Sequence, residues 1–417
     1  MSSAILLSKN QRQNALEVFV GSRTFSVCNS RRLSIQSSNI SSLSQSGATH
    51  LRAIYAFASS IDIELLRPVL ASSNLLSALD LQGTQIKMLP DEVFNLFNLR
   101  FLGLRFTAIE VLPDTIGRLK NLEVLDAITT SLQSLPNSVE KLKKLRFLYA
   151  GAMVGEGPST NFSGIRLPRG IRNLTSLHVL QEVKASIETL HDVAALTELR
   201  TFSVCNVLSE HASSLCSAIT NMGHLTKLSI DASNENEVLP LEALSLPETF
   251  TKLGLLGQLE NNLLPRSLSS WSHLNNLKQL FLRFSRLDED SFSSLKVLHG
   301  LQCLMLNKAY NGKTMYLPSQ AFPRLRVLRI WGAPQINQII IEEGALASLV
   351  ELVLSDCQNM KCLPQGIEYL RTLEELYLED TAEELVEKLR DGCKENPWNK
   401  ELQKIMHIRK VFVKLTK

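Results

Sequence analysis

Three consecutive stretches, LSALDLQGTQIKMLPDEVFNLFN (76–98), LRFLGLRFTAIEVLPDTIGRLKN (99–121) and LEVLDAITTSLQSLPNSVEKLKK (122–144), follow one pattern: L-x-x-L-x-(L/A)-x-x-T-x-(I/L)-x-x-L-P-x-x-(I/V)-x-x-L. Leu76, Leu99, Leu122 and Leu145 accordingly stand 23 residues apart. A fixed step in this range marks a chain that winds into a solenoid, one supersecondary unit per turn.

One such unit cannot bury its own apolar residues. In the middle stretch Leu99, Leu102, Leu104, Ile109, Leu112, Ile116 and Leu119 point into the coil and leave Arg100, Phe101, Gly103 and Arg105 outside. Leu102-Gly103-Leu104 alternates as a strand does, whereas Ile116 and Leu119 stand three apart, as on a helical turn. Each coil is therefore a strand and a return, and stacked coils build one parallel sheet over a continuous core. The expected fold is an α/β repeat, a leucine-rich-repeat solenoid (horseshoe) with a concave parallel sheet and irregular or helical convex returns. At roughly 1.5–3 kcal/mol per fully buried aliphatic side chain, neighbouring coils stabilise one another and none is stable alone.

The 417 residues need not divide into several globular domains, because a solenoid lengthens without adding any. Composition is that of a soluble chain, 44% hydrophobic and 20% charged, and a net charge of +3 offers no basic field to select nucleic acid. Seven cysteines at 28, 205, 216, 303, 357, 362 and 393 are scattered. Cys357 and Cys362 lack zinc-site spacing, so reduced thiols acting as small hydrophobes are expected. The N-terminal MSSAILLSKNQRQ has an apolar run too short for a signal peptide, and no run is long enough to cross a membrane. The expectation is a cytoplasmic protein without membrane insertion, nuclear entry left open, in which the sequons at Asn39, Asn161 and Asn173 stay bare.

Residues 1–30 lack the repeat; Ala4–Leu7 reads as a helix end and Leu16–Val20 as a strand. Arg31–Ile35 gives the first alternating strand, in which RRLS resembles a basophilic kinase site but Ser34 lies shielded between Leu33 and Ile35. HLRAIYAF (50–57) opens the next coil with Leu51 and Ile54 inside, and Ile63–Leu70 is its helical return, interrupted by Pro68. After the regular coils, Leu145–Ala150 opens a coil whose return is delayed by GAMVGEGPSTNFSGIR (151–166), a loop inserted on one edge. Later coils start at Leu177, Leu199, Leu225, Phe250 and Leu277, then step by 24 through Leu301, Leu325, Leu349 and Leu373. About fourteen coils at about 4.8 Å per strand make a sheet on the order of 65–70 Å long. Beyond Leu378, Leu385 and Leu389 at i,i+4, Pro397-Trp398 and IMHIRKVFVK (405–414) read as a helical cap. The expected divisions are a lead-in at 1–30, the solenoid at 31–381 and the cap at 382–417.

Catalytic chemistry is poorly represented. Gly312-Lys313-Thr314 matches the end of a phosphate-binding loop, but Asn307 replaces its first glycine and Met315-Tyr316-Leu317-Pro318 follows where a helix N-terminus is required. No zinc-protease or nucleophile-elbow motif exists, and His191-Asp192 is an isolated pair. No enzymatic activity, nucleotide, metal or cofactor is expected. Binding is better supported, because a parallel sheet lays out its outward residues as a grid. Those positions hold Arg100, Phe101 and Arg105; Arg146, Phe147 and Tyr149; Phe281 and Arg283; Arg326, Arg329 and Trp331. Arginine and aromatic residues dominate interface energetics. Glu374, Glu375, Tyr377 and Glu379 follow on what reads as the last strand, so the concave face is expected to run from basic to acidic.

LDLQGTQIKMLP (79–90), with Thr84, Thr107 and Thr130 where many repeats carry asparagine, resembles the repeat region of plant nucleotide-binding leucine-rich-repeat disease-resistance proteins. SRRLSIQ (30–36) and HLRAIYAF (50–57) resemble the start of that region in the coiled-coil class. The resemblance covers the chain from about residue 30. Family members also carry an N-terminal signalling domain and an ATPase-like switch, and this chain shows neither. What the resemblance implies is therefore the role of the repeat domain: recognition of a pathogen effector or guarded host protein, or an inhibitory contact with a nucleotide-binding module, here one supplied in trans. L-P-x-x-I-x-x-L repeats also resemble Ras-suppressor-type scaffolds. Those keep a near-constant step throughout, whereas the spacing here is irregular from Leu145 to Leu277. A ubiquitin-ligase substrate receptor would want an adaptor-binding helical motif that residues 1–30 do not supply.

Overall fold

Every coil start read from the sequence is buried: Leu76, Leu99, Leu122, Leu145, Leu177, Leu199, Leu225, Phe250, Leu277, Leu301, Leu325 and Leu349 are 0% exposed and Leu373 is 2%. The computed structural model describes residues 16–20, 25–26, 30–41, 43–44, 48–154, 161–259, 274–391 and 400–415. Ala4–Leu7, Cys28, Cys393 and Pro397-Trp398 lie outside them. The chain divides into two units, residues 1–205 and 206–417.

In the first unit a parallel ladder runs through β1 (Leu16–Phe19), β2 (Arg32–Ile35), β3 (Ala53–Ala56), β4 (Ala78–Asp80), β5 (Phe101–Gly103), β6 (Val124–Asp126), β7 (Phe147–Tyr149), β8 (Val179–Lys184) and β9 (Thr201–Val207). Its register aligns Leu33, Ile54, Leu79, Leu102, Leu125, Leu148, Leu180 and Phe202 in one column, every member 0% exposed. Because each residue sits opposite its counterpart, the column is a stack of side chains that no coil could bury by itself. In the second unit the ladder is β10 (Lys227–Ala232), β11 (Lys252–Leu256), β12 (Gln279–Arg283), β13 (Cys303–Asn307), β14 (Val327–Trp331), β15 (Glu351–Ser355), β16 (Glu375–Glu379) and β17 (Lys410–Lys414).

The returns of the regular coils are 3-10 turns, at Asp91–Asn95, Asp114–Arg118 and Asn137–Lys141. Each follows the L-P pair, whose proline holds an extended backbone just before the turn. The repeat threonines serve the bend between strand and return: Thr84, Thr107 and Thr130 Oγ1 donate to the carbonyls of Leu81, Leu104 and Ala127 at 2.7, 2.7 and 2.9 Å. Residues just past the strands turn with positive φ: Gly83, Phe106 and Thr129 in one unit, and Phe284, Lys308, Gly332, Asp356 and Asp380 in the other.

Several expectations change. Pro68 does not interrupt its return; it occupies the first turn of α1 (Arg67–Ser72), where its missing N–H costs nothing. Gly103 is buried, since the Asp80 and Phe101 side chains close over it. The 151–166 insertion includes an antiparallel pair, Ala152–Val154 with Asn161–Ser163, in place of a plain loop. The sheet also exceeds the expected bounds at both ends, with β1 before residue 31 and β17 inside the segment read as a helical cap. The cap's first helical part is α2 (Glu383–Asp391), which buries Leu385, Val386 and Leu389.

Candidate protein-recognition surface

Outward positions form rows set by the register. In the first unit one row runs Phe101, Val124, Phe147, Val179, and the next Gly103, Asp126, Tyr149, Gln181. Phe147 and Tyr149 stack at 6.5 Å, and His178 meets Phe147 edge-on at 6.2 Å. The Arg146 guanidinium lies 5.8 Å from the Phe147 centroid and donates to His178 Nδ1 at 3.4 Å. Burial, then the Arg146 and Arg200 charges, hold the His178 imidazole below its ordinary range. Arg100 and Arg105 pair with Glu123 and Asp126 at 2.7 and 3.0 Å, so their charges are spent within the sheet. Carbonyl-to-amide bonds also line up Arg31, Arg52, Ser77, Arg100, Glu123, Arg146, His178 and Arg200 along the edge where the strands begin, a largely basic border.

In the second unit the central row is Ser229, Gly254, Phe281, Met305, Arg329, Val353, Tyr377 and Phe412. Beside it run Asp231, Leu256, Arg283, Asn307, Trp331, Ser355, Glu379 and Lys414. Arg326 and Arg329 are exposed, and Trp331 is 37% exposed. Arg329 donates to Glu351 at 2.6 Å. The register thus puts Phe281, Arg329, Tyr377, Arg283 and Trp331 on one face, and separately Phe101, Phe147, Tyr149 and Arg105 on the other unit's face. Arg100, Arg146 and Arg326 stand at the strand-start border.

The basic-to-acidic gradient is not found. β16 is not the last strand: K-V-F-V-K of β17 pairs with E-L-Y-L-E of β16 and neutralises it. Lys410 bridges Glu375, Lys414 stands opposite Glu379, and Phe412 stacks on Tyr377 at 4.7 Å with planes 6° apart. The hydrogen bond from Lys410, then that from Tyr377, holds the Glu375 carboxyl below the usual carboxylate range, while Glu375 raises the Lys410 ammonium. A depressed carboxylate stabilises above its unfolded value and loses that contribution as pH falls through the folded one; a raised lysine does so below its unfolded value and loses it as pH rises. The strand is therefore held best between the two ranges. Lys410→Glu is expected to speed limited proteolysis after residue 391 at neutral pH, with the difference shrinking on acidification; identical digestion would show that the pair contributes nothing.

The phosphate-loop mimic is filled by protein. Asn307 ends β13, Thr314–Leu317 is a strand, and Glu289 accepts from the Lys313 and Thr314 amides at 2.8 and 3.4 Å. His191 Nδ1 stays 3.9 Å from Asp192, which also meets Arg172 at 3.6 Å. Among the described residues no group of three His, Cys, Asp or Glu side chains could hold a metal, and no helix is long and apolar enough to cross a membrane. Sequence reasoning missed Lys227, Lys252, Phe284, Met305 and Lys308 on the second unit's surface. Counting outward positions from each coil start would have found Lys227, Lys252 and Met305, whereas Phe284 and Lys308 lie just past their strands.

A parallel strand ladder with a leucine column and short returns defines the chain as a leucine-rich-repeat protein, and the family model for the leucine-rich repeat region matches residues 50–391. The chain belongs to that family. It is 40% identical over 344 residues to the disease resistance protein RPM1 of Arabidopsis thaliana, covering 81% of this chain and 36% of the relative. It is 28% identical over 240 residues to the disease resistance protein RPP8 of the same plant, 57% of this chain and 25% of that protein. The chain thus spans about a third or less of these relatives. A Leptospira interrogans leucine-rich-repeat protein shares the fold with a TM-score of 0.55 at 21% identity, over 82% of this chain and 88% of that one.

Proposed function

We propose that this chain is a non-enzymatic protein-recognition module of plant innate immunity, acting in the cytoplasm. It engages a pathogen effector or a guarded host protein, or makes an inhibitory contact with the nucleotide-binding module of a related protein. Likeness to disease resistance proteins supports the setting. The observation that carries the recognition role is the second unit's outward face, where Phe281, Met305, Arg329 and Trp331 lie on adjacent strands. Such residues are enriched where interface energy concentrates. The general scaffold reading is less favoured, because the uneven coil lengths from Leu145 to Leu277 lack the constant step of that class.

The test is co-purification of the chain, wild type and Arg329→Ala/Trp331→Ala, with the nucleotide-binding module of a disease-resistance relative and with effectors that the relative detects. The double variant is expected to lose at least about tenfold in affinity, as hot-spot truncations do, while its melting temperature moves by no more than a few degrees. Unchanged binding by the double variant, with loss on substitution of the return side, would place recognition elsewhere.

A further inference from the structure

Cations and aromatic rings share one patch of the second unit's outward face. Lys227 and Lys252 are register neighbours on β10 and β11. Lys252 Nζ lies 4.7 Å from the centroid of Phe281 on β12, and Met305 stands next to Phe281 in register on β13. Phe284, just past β12, carries two cations: the Arg283 guanidinium at 5.0 Å and Lys308 Nζ at 5.8 Å from its centroid. The other cations of this face have carboxylates nearby, Arg329 with Glu351 and Arg283 with Asp231 and Glu235. Among the described residues Lys227, Lys252 and Lys308 have no carboxylate within bridging distance.

We propose that this patch binds an acidic segment of a partner protein, with carboxylates set against Lys227, Lys252 and Lys308 and an apolar side chain on Phe281 and Met305. The proposal rests on the protein-recognition reading and specifies its chemistry. Lys252 is half-buried, and burial first, then Lys227, depresses its ammonium. Two cations held side by side without a counter-ion repel, and an arriving carboxylate relieves that repulsion. The Phe281 ring holds the Lys252 ammonium in place in advance, so little side-chain freedom remains to be lost on binding. A nucleic acid fits less well: its phosphate chain needs a run of unpaired cations across the strands, and past Met305 the next cation, Arg329, is already paired with Glu351. A peptide can place its acidic residues on the lysines alone.

The experiment is fluorescence anisotropy on the full chain with three labelled probes: a peptide of alternating glutamate and leucine, its glutamine-leucine counterpart, and a short oligothymidylate. The glutamate peptide is expected to bind, more weakly as salt rises, and the other two to bind at least about tenfold more weakly. Lys252→Met keeps a side chain of similar length beside Phe281 and removes the charge. It and Lys227→Gln, at an exposed position, are each expected to weaken the glutamate peptide about fivefold or more, while Lys120→Ala, at an exposed position just after a first-unit return, leaves it unchanged. Equal affinity for the glutamine peptide, preference for the oligonucleotide, or wild-type binding by Lys227→Gln overturns the proposal. If that happens while Arg329→Ala/Trp331→Ala still abolishes co-purification, the acidic segment is wrong and the recognition reading stands. If the double variant also binds normally, both fall.

Discussion

Leu125→Ala is expected to lower the unfolding free energy by roughly 3–5 kcal/mol, near the upper range for leucine truncation. Leu125 is 0% exposed on β6, with Leu102 and Leu148 directly opposite it on β5 and β7. A cavity there cannot collapse easily, because the strands on both sides are fixed by backbone hydrogen bonds that also bury the neighbouring leucines. Glu123 N and Val124 N donate to Arg100 O at 2.8 and 2.9 Å, and Arg146 N and Phe147 N to Glu123 O at 2.8 and 3.0 Å. The lost apolar contact and the unfilled volume therefore add. Val124→Ala on the outward side of the same strand is the control, with an expected cost under about 1 kcal/mol. Denaturant unfolding followed by circular dichroism measures both. Equal costs would mean that the column is loosely packed and that the coils do not hold one another through it.

The solenoid was legible in the sequence because its signal is redundant: one leucine in error would not have displaced the coil starts, and all of them are buried. The ends were less legible. β1 and β17 belong to the ladder without a full repeat, and a strand such as K-V-F-V-K is recognised only once E-L-Y-L-E is known to need a neighbour. The same omission produced the expected acidic end of the sheet face. Candidate site residues were legible as outward positions where the step was constant, as at Arg329 and Trp331. Lys227 and Lys252 stand at the same outward offset from Leu225 and Phe250 and were missed because lysine, unlike arginine or an aromatic residue, is depleted at interfaces and gave no signal by type. Pairing could not be read at all: nothing in the spacing shows that Arg105 is taken by Asp126 while Lys252 rests on a ring.

The L-P-x-x-I pattern also conceals two different returns, and one glycine separates them. In LPDEV, LPDTI and LPNSV the 3-10 turn begins directly after proline. In LPRGI and LPQGI it begins two residues later, after Gly170 and Gly366, which take φ of 93° and 83°. Gly366→Ala is expected to cost roughly 3 kcal/mol or more, because left-handed strain adds to a steric clash. A Cβ there would overlap the Ile341 carbonyl oxygen, and that oxygen belongs to backbone held in place, Ile341 N donating to Gln365 O at 2.8 Å. At Gly170 the obstacle is only the Glu140 carboxylate, the far end of a flexible side chain. Gly83, at φ 77°, has nothing within 4 Å of its missing Cβ, and its counterparts in the next two coils are Phe106 and Thr129, both at positive φ. Gly83→Ala should therefore cost only about 1 kcal/mol, the conformational share alone. Thermal unfolding of the three alanine variants should rank Gly366 as the most damaging, Gly170 next and Gly83 least. A Gly366→Ala variant as stable as Gly83→Ala would show that the Ile341 backbone yields, and the two-return distinction would lose its physical basis.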